Sequence, residues 1–546
     1  MNPMIKLLDC TLRDGAYIVD SNFGAPAIKG ILHKLQEARI DIIECGWLKN
    51  SLHSEGSSFF HVPSDIEPYF IHRDPDTTYV AMIDWNRYDI SLLPECDGHS
   101  LDAIRVVFPL EHMDEGITVG INIAKKGYQV FFQAANTLAY NDDDLIRLAD
   151  RINEAKPVAL SIVDTFGAMY ADDLDHIVQT LHRHLDPEIM LAFHSHNNQQ
   201  LSFALSMQFV ETMLKLNRPC MVDGTLCGMG RGAGNTPTEL LVSYLNRKHH
   251  TGYDINAVMD TIDMYMTYFQ EHFSWGYSTP YFIAGLYCCH VNNIAYLLNN
   301  HRTNARDMRN VINALSAEDR RKYDYDLLER TYMETLAHKI DHSEAISTLR
   351  QKLVSQKILL IAPGRSILKE KEKIHSFIEK ESPLIIMVNA LNPEYQGDYF
   401  FVVNSARYEY ARQIYPEQFH STPRIVLSNI KATTDCEDEY LINFNSIIKR
   451  GWPHFDNSVI TCLRFLDYLG ISDVTIAGFD GFGNVYNESY ADISLPTLNP
   501  NGHWEELNEE IKDMYHDVIA SKRSLQNIVF LTDSIYQENN TFESEN

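Results

Sequence analysis

The feature of the sequence that most constrains its fold is a regular alternation of strand and helix patterns over roughly the first 245 residues. Continuous apolar strands separated by helices are typical of a parallel sheet covered on both faces, and eight such units close a (β/α)8 barrel. Amphipathic helical patterns lie at 24–38, 142–155, 171–185 and 198–216. Strands are predicted at 6–12, 40–46, 78–84, 103–108, 128–135, 158–165, 189–196 and 220–227. We therefore predict a TIM (β/α)8 barrel.

The strand pattern stops near residue 250 and returns about a hundred residues later. We expect a catalytic barrel at 1–250, a helical extension at 251–350, a doubly wound, Rossmann-like α/β domain at 351–536 and a disordered tail at 537–546. The strands predicted for the second domain are 357–362, 384–389, 399–403, 424–428, 473–478 and 527–532.

Charge, cysteine content and hydropathy indicate which partners and which cellular compartment to expect. The formal net charge is −28, from 74 acidic and 46 basic residues, which argues against a nucleic-acid partner because phosphate binding needs a basic surface. None of the nine cysteines forms a CxxC pair, as expected in a reducing compartment. No apolar run approaches the roughly 18–20 residues of a membrane span. We expect a cytoplasmic protein.

Polar residues cluster at the carboxyl ends of the predicted barrel strands, where enzymes with this fold place their active sites. They are Arg13 and Asp14, Glu44, Asp164 and Thr165, the run His194–Asn198, and Asp223.

His194 and His196 form the clearest pair of candidate metal ligands. At positions i and i+2 of one strand, both imidazoles point to the same face. With a carboxylate from another strand they would make a mixed nitrogen and oxygen site suited to a divalent transition metal, and Asp14 is the simplest third ligand. The alternative is a polar lining without a metal.

A glycine-rich run, "DGTLCGMGRGAGNTPTELL", occupies residues 223–241. Entering a helix, it exposes backbone N–H groups that would bind an anion, or it is a tight turn that permits close packing. It is not a P-loop, because the GK[ST] ending is missing.

Three motifs together resemble one known family. "LLDCTLRDGAY", "FHSHNNQQLSFA" and "VDGTLCGMGRGAGNTPTELL" occur in the order found in the DRE-TIM metallolyase superfamily. That superfamily includes 4-hydroxy-2-oxovalerate aldolase, HMG-CoA lyase and the isopropylmalate and citramalate synthases. The resemblance covers residues 1 to about 300 and is closest to the 4-hydroxy-2-oxovalerate aldolase branch.

The resemblance implies Asp14, His194 and His196 as ligands of a divalent metal, most simply Mn²⁺, with Mg²⁺, Co²⁺ or Zn²⁺ as alternatives. Arg13 would stabilise a pyruvate enolate, in agreement with the demands of the chemistry. Pyruvate and an aldehyde would be the substrates. Thr165 would contact the substrate carboxylate, and Asn198 and Asn235 would lie near the site.

One departure from the family concerns the general base. The aldolases usually have a histidine just after the RDG motif, but here the chain reads Ala16-Tyr17-Ile18. We expect Tyr17 either to act with a metal-bound water or only to orient the substrate. His53 and His61, in the long polar loop after strand two, are possible replacements, and Glu44 is a further active-site candidate.

The second domain begins with a strand and a glycine-containing turn, the place where open α/β sheets bind nucleotide phosphates. We expect Gly364, Arg365 and Ser366 to form such a loop, although GxGxxG is absent. The region distantly resembles bacterial nucleotide-sugar proteins, including a sialyltransferase family, which implies a nucleotide or nucleotide-sugar ligand. The alternative is a catalytically silent domain that serves assembly.

The function predicted from these features is a divalent-metal-dependent pyruvate aldolase that cleaves or forms a 4-hydroxy-2-oxo acid. The pairing of domains suggests a sugar acid for surface polysaccharide, made by a homo-oligomer. The alternatives are an acyl-CoA Claisen-condensing enzyme of the same superfamily and a non-catalytic barrel scaffold whose second domain binds a nucleotide sugar.

Overall fold

The structure, a computed structural model, describes residues 4–301, 305–336, 340–430, 438–449, 451–452, 457–483, 488–495 and 504–537. The chain divides into two compact units. One comprises Met1–Ile294 with Arg320–Lys322, and the other comprises Ala295–Asp319 with Tyr323–Asn546. The domain boundaries predicted at residues 250 and 350 stay predictions, and the predicted tail lies outside the described residues except for Gln537.

The first unit is built on a closed barrel of parallel strands. Its strands are β1 Ile5–Asp9, β2 Ile42–Leu48, β3 Phe59–Phe60, β4 Thr78–Asp84, β5 Ala103–Phe108, β6 Gln129–Ala134, β7 Ala159–Asp164, β8 Met190–Ser195 and β9 Cys220–Gly224. The order is β1-β9-β8-β7-β6-β5-β4-β2, and pairing of β1 with β2 closes the ring. The short β3 adds only to the edge of β2. The predicted TIM barrel is confirmed.

Helices between the strands cover the outside of this barrel. They are α2 Ala25–Glu37, α3 Met113–Ala124, α4 Asp142–Ala155, α5 Ala171–His184, α6 Ser202–Lys215 and α7 Thr238–His249, whereas the short α1 Thr11–Asp14 follows β1 at the carboxyl end of the barrel. The start of α4 shows how the sequence sets a boundary. Asn141 accepts the N–H of Asp144, Asp144 accepts the N–H of Asn141, and three aspartates occupy the first turn.

An apolar layer fills the lower part of the barrel. Every strand of the closed ring contributes to it, with Leu8, Ile42, Val80, Ala103, Phe131, Ala159, Met190, Ala192 and Met221. Because side chains alternate along a strand, the residue two positions after each of these also faces inward, closer to the carboxyl end.

The first strand differs from its prediction. It was expected to run to residue 12, but β1 ends at Asp9 and α1 follows. The Asp9 carboxylate accepts the N–H of Thr11, which turns the chain out of the strand. As a result, Arg13 and Asp14 lie on a helical turn above the barrel.

The second unit contains a parallel sheet of seven strands. They are β10 Ile358–Ile361, β11 Leu384–Val388, β12 Tyr399–Val402, β13 Arg424–Leu427, β14 Glu439–Ile442, β15 Asp473–Ala477 and β16 Asn527–Phe530. The order is β14-β13-β12-β11-β10-β15-β16, so the chain winds outward from β10 in one direction and then in the other. This is the predicted doubly wound sheet. Of these seven strands, only β14 was not predicted, because it is a short strand whose four residues are mostly not buried.

Helices account for the rest of the described secondary structure. In the sequence, the segment that separates the strands of the two sheets contains α8 Ile255–Thr261, α9 Thr267–His272, α10 Thr279–Leu286, α11 Val291–His301, α12 Ala305–Ala314, α13 Ala317–Arg321, α14 Tyr325–Leu336 and α15 Ser343–Leu353. The helices of the second sheet are α16 Ser366–Lys369, α17 Lys371–Glu381, α18 Ser405–Ile414, α19 Pro416–Ser421, α20 Phe444–Ile447, α21 Ser458–Leu469 and α22 Trp504–Ser521. Among the described residues, no helix is long and apolar enough to cross a membrane.

Candidate metal centre

A polar layer lies directly above the apolar layer of the barrel. Each of its members stands two positions after a member of the apolar layer, and the layer consists of Glu44, Arg105, Gln133, Ser161, His194 and Asp223. All six are less than one-tenth exposed. Because side chains alternate along each strand, the interior of the barrel changes from apolar to charged within two residues. We call this polar layer the floor of the site.

Arg105 ties this floor together. One terminal nitrogen donates to Glu44 Oε2 at 2.9 Å, and the other donates to Asp223 Oδ2 at 2.5 Å and to Gln133 Oε1 at 2.9 Å. Arg105, Glu44 and Asp223 are almost fully buried. Such a network holds its members in one geometry, because breaking any pair leaves a charge without a partner in a medium of low dielectric constant.

Arg13 is fixed above the floor from α1. Its Nε donates to Glu44 Oε2 at 2.7 Å, and its NH1 lies 3.0 Å from Asp14 Oδ1. The indole of Trp47 donates to the Arg13 carbonyl at 3.2 Å. Burial lowers the pKa of Arg13, but Asp14 and Glu44 outweigh it and leave that pKa above its usual value. Within the described residues, NH2 makes no hydrogen bond and remains available as a donor.

Asp14, His194 and His196 converge at one point. Asp14 Oδ2 lies 3.8 Å from His194 Nε2 and 4.0 Å from His196 Nε2. The two imidazole rings are perpendicular, with centroids 5.2 Å apart. One ligand atom from each residue falls within 4.8 Å of the other two, a spacing that would admit a single ion between them.

Neighbouring groups orient these three side chains. His194 Nδ1 lies 3.1 Å from Asp223 Oδ2, which leaves Nε2 facing Asp14. Such a carboxylate contact on the second ring nitrogen is the usual support of a metal-binding histidine. The amide nitrogen of Asn235 donates to Asp14 Oδ2 at 2.5 Å.

The donor set fits a divalent cation. The floor, the prospective ligands and Arg13 together hold two guanidinium groups and three carboxylates, so these five groups carry one excess negative charge. In addition, Asn235 Oδ1 is buried without a hydrogen-bond partner, a condition that metal coordination would relieve. Two imidazoles with oxygen donors suit Mn²⁺, Fe²⁺, Co²⁺ or Zn²⁺.

A second group of possible ligands, Cys10, His194 and Asp223, fits a metal less well. Burial raises the pKa of the Cys10 thiol, which donates to the Gly224 carbonyl at 3.3 Å. The Oδ2 of Asp223 already serves Arg105 and His194. The first group is therefore the better candidate among the described residues.

The electrostatics hold Asp14 and His196 in the protonation states that metal binding requires. Burial raises the pKa of Asp14, but Arg13 and the two histidines outweigh it and keep that pKa well below its usual value. Burial lowers the pKa of His196 to about 3 against the opposing effect of Asp14. Asp14 is thus ionised and His196 neutral at pH 7, as metal ligands must be.

Two glycines of the motifs are needed for close packing at this centre. A Cβ on Gly230 would lie 2.3 Å from Asn235 Nδ2 and 3.3 Å from Asp14 Oδ2. A Cβ on Gly15 would lie 2.7 Å from Met229 Sδ, although Gly15 itself has an ordinary helical φ of −64°. The glycine-rich run therefore packs closely against Asp14, one of the three prospective ligands, and against Asn235.

Tyr17 lies between two large side chains. The guanidinium carbon of Arg231 stands 3.9 Å from the centre of its ring, and the Trp47 ring meets it edge-on at 5.9 Å. Burial raises the pKa of Tyr17 despite the nearby Arg231 and Arg13. The phenol is therefore a hydrogen-bond donor near neutral pH.

Thr165 and Asn198, also singled out in the sequence, make contacts around the centre. Thr165 Oγ1 accepts the N–H of Asn136 at 2.7 Å just beyond β7. Asn198 is buried, donates to the Phe166 carbonyl and accepts the N–H of Ala233, so it ties the end of β7 to the glycine-rich run. Their predicted contacts with a substrate stay predictions.

The two loop histidines are engaged elsewhere. His53 uses Nδ1 toward the Phe59 carbonyl and Nε2 toward the Tyr69 hydroxyl, at 2.8 and 2.9 Å. His61 Nδ1 lies 3.2 Å from the Lys49 carbonyl. The structure brings neither into contact with Asp14, His194 or His196.

Sequence reasoning missed three residues around the centre. Arg105 carried a signal, since a cation in the middle of the apolar strand "AIRVVF" needs a buried partner. Arg231 was visible only as part of the glycine-rich run. His290 follows α10. Burial, and to a smaller extent the nearby Arg231 and His196, lower its pKa to about 3. Nothing in its local sequence points to this site.

Residues 114–264 match the family model described as HMGL-like, a stretch that includes His194, His196 and Asn235. The chain contains an HMGL-like domain. The predicted membership of the DRE-TIM superfamily is confirmed.

Relatives of the HMGL-like domain cover about half of this chain. The oxaloacetate decarboxylase of Mycobacterium tuberculosis is 25% identical over 265 residues, which are 46% of this chain and 74% of the relative. The 4-hydroxy-2-oxovalerate aldolase of Carboxydothermus hydrogenoformans is 26% identical over 278 residues, 48% of this chain and 77% of the relative. The N-terminal domain of a candidate aldolase from Bacteroides vulgatus aligns with a TM-score of 0.46 and 23% identity, covering 54% of this chain and 96% of that structure.

The HMGL-like domain resembles those of a superfamily of metal-dependent aldolases and lyases. A lyase-type enzyme that depends on a divalent metal agrees with the donor set described above.

Proposed function

We propose that this protein is a pyruvate aldolase that forms or cleaves a 4-hydroxy-2-oxo acid with the help of a divalent metal, Mn²⁺ in the simplest case. The observation that carries the proposal is the placement of the Arg13 guanidinium beside the three prospective ligands. Arg13 NH1 lies 3.0 Å from Asp14 Oδ1, while Glu44 fixes its Nε. Relatives named 4-hydroxy-2-oxovalerate aldolase support this reading.

Each side chain has a defined task in this reaction. Asp14, His194 and His196 would hold the metal, which supplies Lewis-acid polarisation of the 2-oxo group when bound. Arg13 directs NH2 toward the oxygen that gains charge as pyruvate becomes its enolate. Because Glu44 and Asp14 fix this guanidinium beforehand, little reorganisation is needed when the charge develops.

Tyr17 acts as an orienting donor rather than as the general base. Its raised pKa keeps the phenol protonated near neutral pH, and Arg231 holds the ring in place. It would donate a hydrogen bond to the 4-hydroxyl or the aldehyde oxygen. Thr165 would receive the substrate carboxylate, at the end of β7.

A screen of aldehydes with pyruvate tests the proposal. The metal-depleted protein is supplied with Mn²⁺, Mg²⁺, Co²⁺ or Zn²⁺ in turn, and pyruvate consumption is followed for a panel that includes sugar aldehydes. We expect consumption that depends on both metal and aldehyde. Thiol release from acetyl-CoA without aldol activity would instead favour the Claisen-condensing alternative. If no sugar aldehyde reacts, the link to polysaccharide sugars is wrong.

A further inference from the structure

The second sheet has a crevice that the aldolase reaction does not use. Strand β10 pairs with β11 on one side and with β15 on the other, and the chain reverses its winding direction between them. In open α/β sheets, ligands bind outside the carboxyl ends of the strands at such a point. A cavity of about 70 Å³ lies there. Its lining includes Gly364 after β10, Asn389 after β11 and Asp480 after β15.

The size of this cavity suits one group of a ligand. A pocket that encloses a whole drug-sized molecule measures about 300–1,000 Å³, and a water molecule in the liquid takes about 30 Å³. The cavity therefore accommodates a group of a few heavy atoms, and the rest of a larger ligand would extend outside it.

A buried guanidinium with one unpaired nitrogen lines the cavity; the Tyr490 side chain hydrogen-bonds to it, and the Asp492 carboxylate attracts it from beyond ion-pair distance. Arg407, on α18, is 5% exposed, and its NH1 is buried without a hydrogen-bond partner. No Asp or Glu of the described residues lies within 4.0 Å of its guanidinium, which stands 4.9 Å over the ring of Tyr490. Burying a guanidinium in this way is costly unless a partner compensates it.

Arg424 of the same sheet provides an internal comparison. It is 1% exposed, but its Nε lies 3.2 Å from Glu439 Oε2, and its NH1 donates to the carbonyls of Phe419 and Thr422. The domain thus satisfies one buried arginine from its own residues and leaves the other, Arg407, with an unpaired nitrogen in a cavity.

The surrounding groups reinforce the positive character of the cavity. Asn457 and Ser458 line it at the start of α21, a helix of 12 residues. The Asn457 side chain accepts the N–H groups of Val459 and Ile460, so the helix contributes mainly through the partial positive charge of its N-terminus. Asp480 is the carboxylate in the lining, but it accepts the N–H and the hydroxyl of Ser366 at 2.7 and 2.5 Å. Asp480 is therefore directed toward Ser366 and forms no ion pair with Arg407.

We propose that this cavity binds the phosphate group of a ligand, with Arg407 as its counter-ion and the N-terminus of α21 as the second electropositive element. Of the loop predicted from sequence, only Gly364 lines the cavity. Arg365 is exposed, and the hydroxyl of Ser366 is used by Asp480 and Thr532. The proposal does not depend on the reaction of the barrel.

Calorimetric titration of the full chain tests this site. Inorganic phosphate, UMP and glucose 1-phosphate are titrated separately at constant ionic strength, with acetate as the comparison anion. We expect at least one phosphate probe to bind, and Arg407→Gln to weaken that binding by about tenfold or more. Arg412→Gln is the matched control, because Arg412 lies on the same helix but pairs with Glu409 at the surface. It should change the affinity less than about twofold.

Thermal unfolding provides the second readout. Because Arg407 has an unpaired nitrogen, Arg407→Gln should leave the melting temperature of the ligand-free protein unchanged or raise it. Phosphate should raise the melting temperature of the wild type and not that of the variant. A phosphate ester that binds tenfold tighter than inorganic phosphate would show that the ligand is a phosphate ester whose organic part contributes to binding. Equal binding would indicate that the ligand is free phosphate.

Three results would overturn the proposal. They are no binding of any phosphate probe at millimolar concentration, acetate binding as tight as phosphate, or binding that survives Arg407→Gln.

Discussion

The mouth of the barrel and the crevice of the second sheet both lie at the carboxyl ends of parallel strands, and both bury arginines. In the barrel, Arg13 and Arg105 share Glu44 and divide Asp14 and Asp223 between them, so carboxylates are in excess. In the second sheet, Arg407 has no carboxylate of the described residues within ion-pair distance. The sign of the uncompensated charge therefore separates a site suited to a cation from one suited to an anion.

The largest expected effect comes from removing a ligand of the barrel site. His194→Ala should abolish stoichiometric binding of Mn²⁺ and lower the proposed aldolase activity by about a thousandfold, because the Lewis acid is lost with it. Metal content by mass spectrometry and steady-state kinetics measure the two effects. His176→Ala is the control, since His176 is exposed on α5 and, among the described residues, pairs only with Asp142. Full activity of His194→Ala without bound metal would contradict the assignment.

Breaking the charge network of the barrel should have the next largest effect. Arg105→Met leaves Glu44 and Asp223 buried with a partner missing, and we expect the free energy of unfolding to fall by about 3–5 kcal/mol. Arg151→Met, which removes a partly exposed pair with Asp114, should cost at most about 1 kcal/mol. Urea denaturation measures both.

The same measurement sharpens the contrast between the two regions. If Arg407→Gln destabilised the ligand-free protein as much as Arg105→Met, then the two arginines would be equally satisfied and the distinction drawn above would be wrong.

The stability of the protein should depend on pH through the buried carboxyl of Asp9, in the first of the three motifs. Burial raises the pKa of Asp9 from 3.8 to about 6, against hydrogen bonds from Thr238 and Thr11. Because the folded state then binds more protons than the unfolded state, the contribution of Asp9 to stability falls as pH rises from about 4 to about 6, by about 3 kcal/mol in all. The stability difference between wild type and Asp9→Asn should follow this curve in urea denaturation and level off above pH 7.

The smallest expected effect concerns Tyr17. Tyr17→Phe should lower kcat/KM by about tenfold, as expected for one lost orienting hydrogen bond, and should leave metal content unchanged. Because the phenol stays protonated, the shape of the pH profile from about pH 6 to 9 should also be unchanged. Loss of the acid-side limb in the variant would instead identify Tyr17 as the general base.

The sequence predicted the barrel well because its signal is repeated. Eight apolar runs of similar length each report the same parallel arrangement, so an error at one boundary, such as the early end of β1 at Asp9, does not change the fold. The strand β14 was missed because its four residues carry no apolar periodicity.

The residues of the candidate site could be predicted where they stand in short sequence motifs, and not where they depend on contacts with distant parts of the chain. Asp14, His194 and His196 stand in short motifs, and the structure brings them within 4.8 Å of one another. Arg105, His290 and Arg407 depend on contacts that are distant in the chain. For example, Arg105 and Asp223 are 118 positions apart, and no local pattern reports such a pairing.

The central claim is that the barrel stabilises the enolate of pyruvate, and hydrogen exchange tests it without knowledge of the aldehyde. Pyruvate is incubated in D₂O with the Mn²⁺-loaded protein, and deuterium entering its methyl group is followed by NMR. We predict exchange that requires the metal and is lost in His194→Ala and Arg13→Gln, because both remove stabilisation of the enolate oxygen. Exchange no faster than in buffer, with every divalent metal tried, would contradict the account.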